Sequence, residues 1–155
     1  MTREKFKEYL DSMGYTYEGR GDKIFILKGQ KGPSSDDVDF EGVTSIPPGV
    51  VLSNDGYVFM DELDFLPEGT EFRNSRDVYL TSVKRISERV IFENLGRVIM
   101  NNVRTIPRTI EFNNNGSVHI RSALKSHHSS PDPIWIDGIH PRELINLMVS
   151  SGLLE

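Results

Sequence analysis

Apolar residues recur through the middle of the chain with a constant step of 20 residues, and no insertion interrupts the register. Six columns keep this step, five of them apolar and one of them asparagine. The columns are Leu52/Phe72/Phe92/Phe112, Asn54/Asn74/Asn94/Asn114, Val58/Val78/Val98/Val118, Met60/Leu80/Met100/Ile120, Val43/Leu63/Val83/Val103 and Ile46/Leu66/Ile86/Ile106. A fixed period of this length indicates a solenoid, in which each unit buries its apolar face against its neighbours.

The pattern inside one unit indicates β-structure. Val78 and Leu80 alternate with polar residues, which places both on one face of a strand. Val83 and Ile86 follow three apart, and a proline comes directly after this last column in three of the four units. Asparagine followed two residues later by glycine suits a tight corner. We therefore predict a mainly β fold, a single-domain β-solenoid of four to five 20-residue coils over residues 38–124.

The columns also predict what lies inside the solenoid. The apolar columns should form its core, with the Leu52/Phe72/Phe92/Phe112 column as a stacked aromatic ladder rather than a ligand cage. The asparagine column predicts structural turns, whose side-chain amides can hydrogen-bond between coils.

Both ends of a solenoid expose unpaired strand edges and therefore need caps. Residues 1–31 predict a helix followed by a β-hairpin, and residues 132–155 predict a helical cap that begins near Pro141 and ends near Gly152. In the N-terminal cap we expect Thr2 as N-cap, a helix from Arg3 to about Met13 with Phe6, Leu10 and Met13 on one face, a turn at Gly19–Asp22 and a strand from Lys23 to Lys28.

Composition narrows the class of protein. The chain has 155 residues, a net charge of −5 and no cysteine, so disulfides and thiolate metal sites are excluded. No segment approaches the roughly 18 apolar residues of a membrane span, and the charged start is unlike a signal peptide. We expect a cytoplasmic protein with no membrane partner.

The segments VYLTSVKRIS and VIMNNVRTIP resemble a shortened leucine-rich repeat of the form L-x-L-x-x-L-x-x-L-P. Two residues of the leucine-rich unit are missing, which favours a straighter β-solenoid over a curved horseshoe. The whole layout resembles small bacteriophage-type repeat proteins. The resemblance implies the fold and a phage origin, but no reaction.

Catalytic and metal-binding motifs are missing from the sequence. It contains no P-loop, no G-x-G-x-x-G and no G-x-S-x-G elbow. His127 and His128 are adjacent and should point apart, and the acidic stretch DDVDFE lacks the glycine and final glutamate of an EF-hand loop. Arg20-Gly21-Asp22 is best explained as a hairpin tip. We expect no enzyme, no catalytic residues, no cofactor and no metal site.

Charge is distributed unevenly along the chain. Residues 32–72 contain ten acidic residues and no Lys or Arg, whereas residues 73–125 contain ten basic and four acidic residues. Because coil order is spatial order, the first coils should be acidic and the later coils basic. This asymmetry can serve solubility or head-to-tail contact, or it can bind nucleic acid or another anionic ligand. The candidate anionic-ligand face is Arg85, Arg89, Arg97, Arg104, Arg108 and Arg121.

One outward column is unusually apolar. Alternation should turn Phe59, Tyr79, Ile99 and His119 to solvent, with Tyr57 beside them. Either this column is a contact surface or the N-terminal helix covers it. Our first hypothesis is a non-enzymatic protein-binding module that uses this face to bind a host protein, or another copy of itself as a homo-oligomer. The resemblance implies a phage accessory protein that binds or inhibits a host defence protein. The alternative is a nucleic-acid or nucleotide binder.

Overall fold

The computed structural model describes residues 1–29, 36–104, 106–107, 109–124, 134–139 and 146. Within them the chain forms one helix and fourteen strands, which confirms the mainly β fold. These elements are α1 (Arg3–Met13), β1 (Thr16–Arg20), β2 (Lys23–Lys28), β3 (Val38–Asp39), β4 (Val50–Leu52), β5 (Val58–Phe59), β6 (Phe65–Leu66), β7 (Glu71–Phe72), β8 (Val78–Tyr79), β9 (Arg85–Ile86), β10 (Ile91–Phe92), β11 (Val98–Ile99), β12 (Glu111–Phe112), β13 (Val118–Leu124) and β14 (Ile134–Ile139).

The strands form three sheets that run along the solenoid. Sheet A has the order β1-β2-β4-β7-β10-β12, sheet B has the order β14-β13-β11-β8-β5-β3, and sheet C is β6-β9 in the described part. Pairing between coils is parallel and in register, so that Ile91 pairs with Glu71 on one side and Glu111 on the other. One 20-residue unit therefore makes one turn of a three-sided β-solenoid, as the period predicts.

The predicted apolar columns form the core. The rings of Phe72, Phe92 and Phe112 stack in series, with centroids 4.9 Å and 5.2 Å apart and planes inclined by only 3° and 7°. This confirms the aromatic ladder. The structure adds a buried column that the apolar pattern missed, which is Val50, Thr70, Val90 and Ile110. Its one polar member is satisfied, because Thr70 Oγ1 donates a hydrogen bond to the carbonyl oxygen of Pro67 at 2.8 Å.

The four asparagines at one corner are buried and link the coils. Asn94 Nδ2 donates to the carbonyl oxygen of Arg76 in the preceding coil at 3.2 Å, and to the carbonyl oxygens of Gly96 and Arg97 in its own turn at 3.0 Å and 3.1 Å. Its Oδ1 has no hydrogen-bond partner among the described residues. The amides therefore connect coils as predicted, but through backbone carbonyls rather than through one another.

Glycine at the same corner makes room for a carboxylate. Asp37 Oδ1 accepts a hydrogen bond from the Tyr57 backbone N–H at 2.9 Å, and Asp77 Oδ1 accepts one from the Arg97 N–H at 2.7 Å. A Cβ atom at Gly56 would collide with the Asp37 carboxylate, and a Cβ atom at Gly96 would collide with that of Asp77. An aspartate in one coil thus requires a glycine in the next.

The glycine column has one exception. Arg76 occupies the glycine position in the coil whose predecessor carries Tyr57 in place of aspartate. The Arg76 guanidinium lies over the Tyr57 ring, 5.5 Å from its centroid. The missing carboxylate is not the whole reason, because Gly116 follows a coil with Arg97 at this place and a Cβ there would still lie 2.5 Å from the backbone of Gly96.

Helix α1 closes the first end of the solenoid. Thr2 is its N-cap, as predicted, and Thr2 Oγ1 accepts a hydrogen bond from the Lys5 N–H at 3.2 Å. Phe6 and Leu10 are buried, and the Phe6 ring packs edge-on against Phe40 of the first coil at 5.7 Å. Met13, predicted on the same helix face, is 42% exposed, so the buried part of this face ends before the last residue of the helix.

The hairpin β1–β2 completes this cap. Its strands pair antiparallel, and the turn between them lies where the sequence predicts it. Strand β2 also pairs in parallel with β4, with Ile24 opposite Val50. It therefore covers the edge of sheet A that would otherwise be open at the first coil.

The C-terminal cap differs from the expectation. Residues 134–139, which the sequence pattern placed in a helical cap, form strand β14 instead, and β14 pairs antiparallel with β13. A strand thus extends sheet B beyond the last coil. Of the predicted helix from Pro141 to Gly152, only Asn146 is described, in helical conformation, and the rest lies outside the described residues.

Replacing Phe92 by Ala should lower the free energy of unfolding by about 3–5 kcal/mol, because an internal coil cannot collapse around the cavity. The matched control is Leu95→Ala in the same coil, where the side chain is 59% exposed and the change should stay within about 0.5 kcal/mol. Urea denaturation of both variants measures the difference. Equal losses would contradict the register described above.

Replacing Gly96 by Ala should lower the free energy of unfolding by about 1–3 kcal/mol, the range for forcing atoms into a packed site. The new Cβ would meet the Asp77 carboxylate and lie 2.7 Å from the backbone carbonyl carbon of Arg76. Arg76→Ala is the control at the same corner and should cost less than about 1 kcal/mol, since it removes only an exposed cation–π contact. A neutral Gly96→Ala would refute the proposed conflict with the carboxylate.

Candidate functional site

The outward side of sheet B brings the predicted aromatic residues together. Phe59 and Tyr79 pair across β5 and β8, and their rings are stacked with centroids 5.1 Å apart and planes inclined by 9°. The Tyr57 ring lies 5.8 Å from that of Phe59 and 6.3 Å from that of Tyr79. Ile99 and His119 continue the column, and all five side chains are half-buried. We call these five residues the contact face.

A network of charges holds the centre of the contact face. Asp77 Oδ2 accepts hydrogen bonds from Arg97 Nε at 3.2 Å and Nη2 at 2.9 Å, and the Tyr79 hydroxyl donates to the same oxygen at 3.4 Å. Burial raises the pKa of Tyr79, and the Asp77 carboxylate raises it further, while Arg97 acts in the opposite direction. The phenol therefore remains a protonated donor at neutral pH. Stacking on Phe59 and the hydrogen bond to Asp77 together fix the position of the ring.

Helix α1 packs at the end of the solenoid and not on the contact face. In the described part of the chain, its rings Phe6 and Tyr9 contact each other, Tyr15 and Phe40. The Tyr15 hydroxyl donates to the Asp39 carbonyl oxygen at 2.6 Å, which ties the start of the hairpin to the first coil. These contacts support the contact-surface interpretation over that of a face covered by the helix.

An acidic cluster adjoins the contact face at the first coil. Asp39 pairs with Phe59, so it is the first member of the outward column that runs through Phe59 and Tyr79. Burial raises the pKa of the Asp39 carboxyl, and the negative charges of Glu41, Asp61 and Glu62 raise it further. The outward column therefore begins one coil earlier than predicted, at Asp39, which lies 20 residues before Phe59 in the sequence.

Of the six arginines of the alternative anionic-ligand face, the four that the structure describes do not form one surface: Arg85 and Arg104 line one cavity, and the other two lie apart from it. Arg97 lies on sheet B and pairs with Asp77, whereas Arg85 lies on sheet C with its guanidinium 5.2 Å from the Phe65 ring centroid. Arg89 lies at the corner between sheets C and A, 3.5 Å from Glu68. Arg104 lines a shallow cavity of about 210 Å³ with Asp64, Phe65, Lys84 and Arg85. Arg108 lies outside the described residues, and Arg121 lies in β13 with its side chain not described.

A second concavity lies along sheet A. This groove has a volume of about 720 Å³ and is bordered by charged residues of several coils. The Glu71 carboxylate is 8% exposed, 3.2 Å from Lys23 Nζ and 2.9 Å from Arg73 Nη2, although the contact to Arg73 lacks hydrogen-bond geometry. Glu71 is thus neutralised from both sides within the chain, which is the role of a structural ion pair.

The hairpin tip, the adjacent histidines and a metal site are the remaining chemical candidates. Arg20 at the hairpin tip pairs with Glu18 at 2.6 Å and lies over the Phe25 ring at 4.9 Å. His127 and His128 lie outside the described residues. Among the residues that the structure describes, no three His, Asp or Glu side chains are placed to hold a metal ion. No helix in the described ranges is both long and apolar enough to cross a bilayer.

Comparison of the chain with known protein families, curated proteins and solved structures found no match. The resemblance to small bacteriophage-type repeat proteins therefore stays a prediction.

Replacing Asp39 by Asn should raise the melting temperature at pH 7, because the charged form is disfavoured in the folded state. The pKa of Asp39 is raised above its ordinary value of 3.8, so the destabilising effect of this carboxylate grows as the pH rises from 3.8 through the folded pKa. The gain should therefore disappear near pH 3.8. The control is Asp55→Asn, which removes an exposed acid elsewhere in the solenoid. An equal gain in melting temperature there would assign the effect to net charge alone.

Proposed function

We propose that the chain is a non-enzymatic protein-binding module and that the contact face on sheet B is its binding surface. The observation that carries this proposal is the stack of Tyr57, Phe59 and Tyr79, half-exposed on a sheet whose other side is the solenoid core. Tyrosine and other aromatic residues are enriched at protein interfaces and dominate their binding energy. Rings that are already stacked lose little conformational freedom when a partner binds.

The partner we propose is a host protein, with a phage accessory protein as the biological setting. The repeat layout and its resemblance to small phage proteins support this setting, in which the chain binds or inhibits a host defence component in the host cytoplasm. A binding role rather than a catalytic one agrees with the charged groups described above. Asp77 and Arg97 are paired with each other, and Glu71 is paired with neighbouring residues. An inhibitor of this kind needs a rigid surface rather than a reaction centre.

The described arginines are divided between sheet C, sheet B and a corner, and this division favours protein over nucleic acid. A nucleic-acid binder needs a continuous basic track along which it neutralises successive phosphates. Arg85, Arg89 and Arg97 lie on sheet C, on a corner and on sheet B, and Arg97 is already paired with Asp77.

Tyr79→Glu should abolish partner capture without unfolding the protein. The side chain projects away from the core, and the new carboxylate would be unpaired inside a desolvated interface. The test is capture from bacterial lysate with tagged wild type and variant, quantified by mass spectrometry, together with the melting temperature of each. We expect at least a thirtyfold loss of the captured partner, on the order of one interface hot spot.

The matched control is Phe65→Glu, which places the same charge on the outward side of sheet C. It should retain the partner. A folded Tyr79→Glu protein that captures the same partner in the same amount as the control would refute the contact face.

A further inference from the structure

The outward column of sheet B is self-complementary about its centre. It runs through five strands in parallel register and contains one residue from each, namely Asp39, Phe59, Tyr79, Ile99 and His119. An acid stands at one end, an imidazole at the other, apolar side chains lie between them, and Tyr79 is in the middle. Reversing the order of the coils therefore exchanges acid with imidazole and Phe59 with Ile99.

From this pattern we propose that a second copy of the chain binds to the contact face as an antiparallel, two-fold symmetric dimer, with the axis along the strands at the level of Tyr79. The proposal rests on the proposed function of the contact face and names one occupant of it. A two-fold axis in this position places Phe59 against Ile99 of the second copy, and Tyr79 against Tyr79. The neighbouring column follows the same rule and places Tyr57 against Arg97, a pair suited to a cation–π contact. It also places Asp77 against Asp77, and the charge of each is neutralised by Arg97 of its own chain.

Charge excludes the other side-by-side arrangement. In a parallel dimer, Asp39 of the first coil would face Asp39 of the second copy. Burial raises the pKa of Asp39, and the carboxylates of Glu41, Asp61 and Glu62 raise it further, so another acid opposite it is unfavourable. In the antiparallel dimer Asp39 faces the other end of the column, where Ser117 and His119 carry no negative charge, and this repulsion is absent.

The caps exclude end-to-end growth through the first coil. Helix α1 covers that end by packing Phe6 and Tyr9 on Phe40, and β2 pairs with the first strand of sheet A that belongs to a coil. Two copies of the chain therefore associate side by side rather than head to tail.

The size of the face sets the expected strength of the dimer. Five strands at roughly 4.8 Å spacing make a face about 20 Å long. An interface of this size falls among the smaller ones, which bury less than about 1,200 Å² in total and form transient complexes. The dimer should therefore dissociate on dilution, and it leaves the same residues available for another protein partner.

Sedimentation velocity over a range of protein concentrations tests the proposal. Wild type should show a reversible monomer–dimer equilibrium. His119→Glu should weaken the dimer by about tenfold or more, because it places a carboxylate opposite Asp39 of the second copy. Asp39→Lys removes the acid opposite the imidazole and should also weaken the dimer, but by less. The double variant Asp39→Lys/His119→Glu should restore it, because only the antiparallel arrangement brings position 39 of one copy against position 119 of the other.

Two controls separate this result from a folding defect. Melting temperatures show whether each variant folds, and Asp55→Lys makes the same charge change at an exposed corner away from the face and should dimerise like wild type. A wild-type protein that is monomeric at every concentration overturns the proposal. A dimer that the double variant fails to restore overturns the antiparallel arrangement. If the protein is monomeric and Tyr79→Glu still loses its partner, the dimer is wrong and the proposed function stands.

Discussion

Parallel pairing of each residue with the residue 20 positions later is the constraint on which the rest of the structure depends. Backbone bonds such as Ile91 N–H to the Thr70 carbonyl oxygen and Glu111 N–H to the Val90 carbonyl oxygen repeat from coil to coil. Because the register is fixed, every side chain stacks on its counterpart, and the identity of a column decides its place. Phenylalanine stacks in the interior, asparagine bonds carbonyls at the corner, and aromatic residues of the outward column stack on the surface. A slip of one residue would exchange the interior of each strand with its exterior.

The repeat made most of the solenoid predictable from sequence, because a column of like residues reveals its environment several times over. The prediction failed where the cause of a residue's placement lay outside its own column. Thr70 is polar, and only its bond to the Pro67 carbonyl allows it to occupy a buried column. Arg76 interrupts the glycine column, and its guanidinium contacts Tyr57 of the preceding coil rather than a residue of its own column. Strand β14 follows the last repeat and pairs antiparallel, so no 20-residue step reveals it.

The site was predictable to a similar extent and for the same reason. Alternation within each strand turned Phe59, Tyr79 and Ile99 outward, and the structure places them in one column. The charged residues behaved differently, because charge was counted along the chain whereas binding surfaces exist in three dimensions. Arg85, Arg89 and Arg97 are separated by 12 residues at most, yet one coil turns them to different sides of the solenoid. A basic segment of a solenoid is therefore not a basic face.

Asp77 connects the architecture of the coil to the contact face. Its Oδ1 accepts the Arg97 backbone N–H and so replaces a backbone carbonyl in the link between coils. Its Oδ2 binds the Arg97 guanidinium and accepts the Tyr79 hydroxyl. The same carboxylate thus fixes the spacing of two coils, requires glycine at position 96 and orients the central ring of the face. Asp37 makes the same link to Tyr57 two repeats earlier but carries no such ring in its own strand, where Asp39 stands instead. The corner aspartate is a device of the fold in both coils, and it becomes part of the binding surface only where an aromatic residue follows it by two positions.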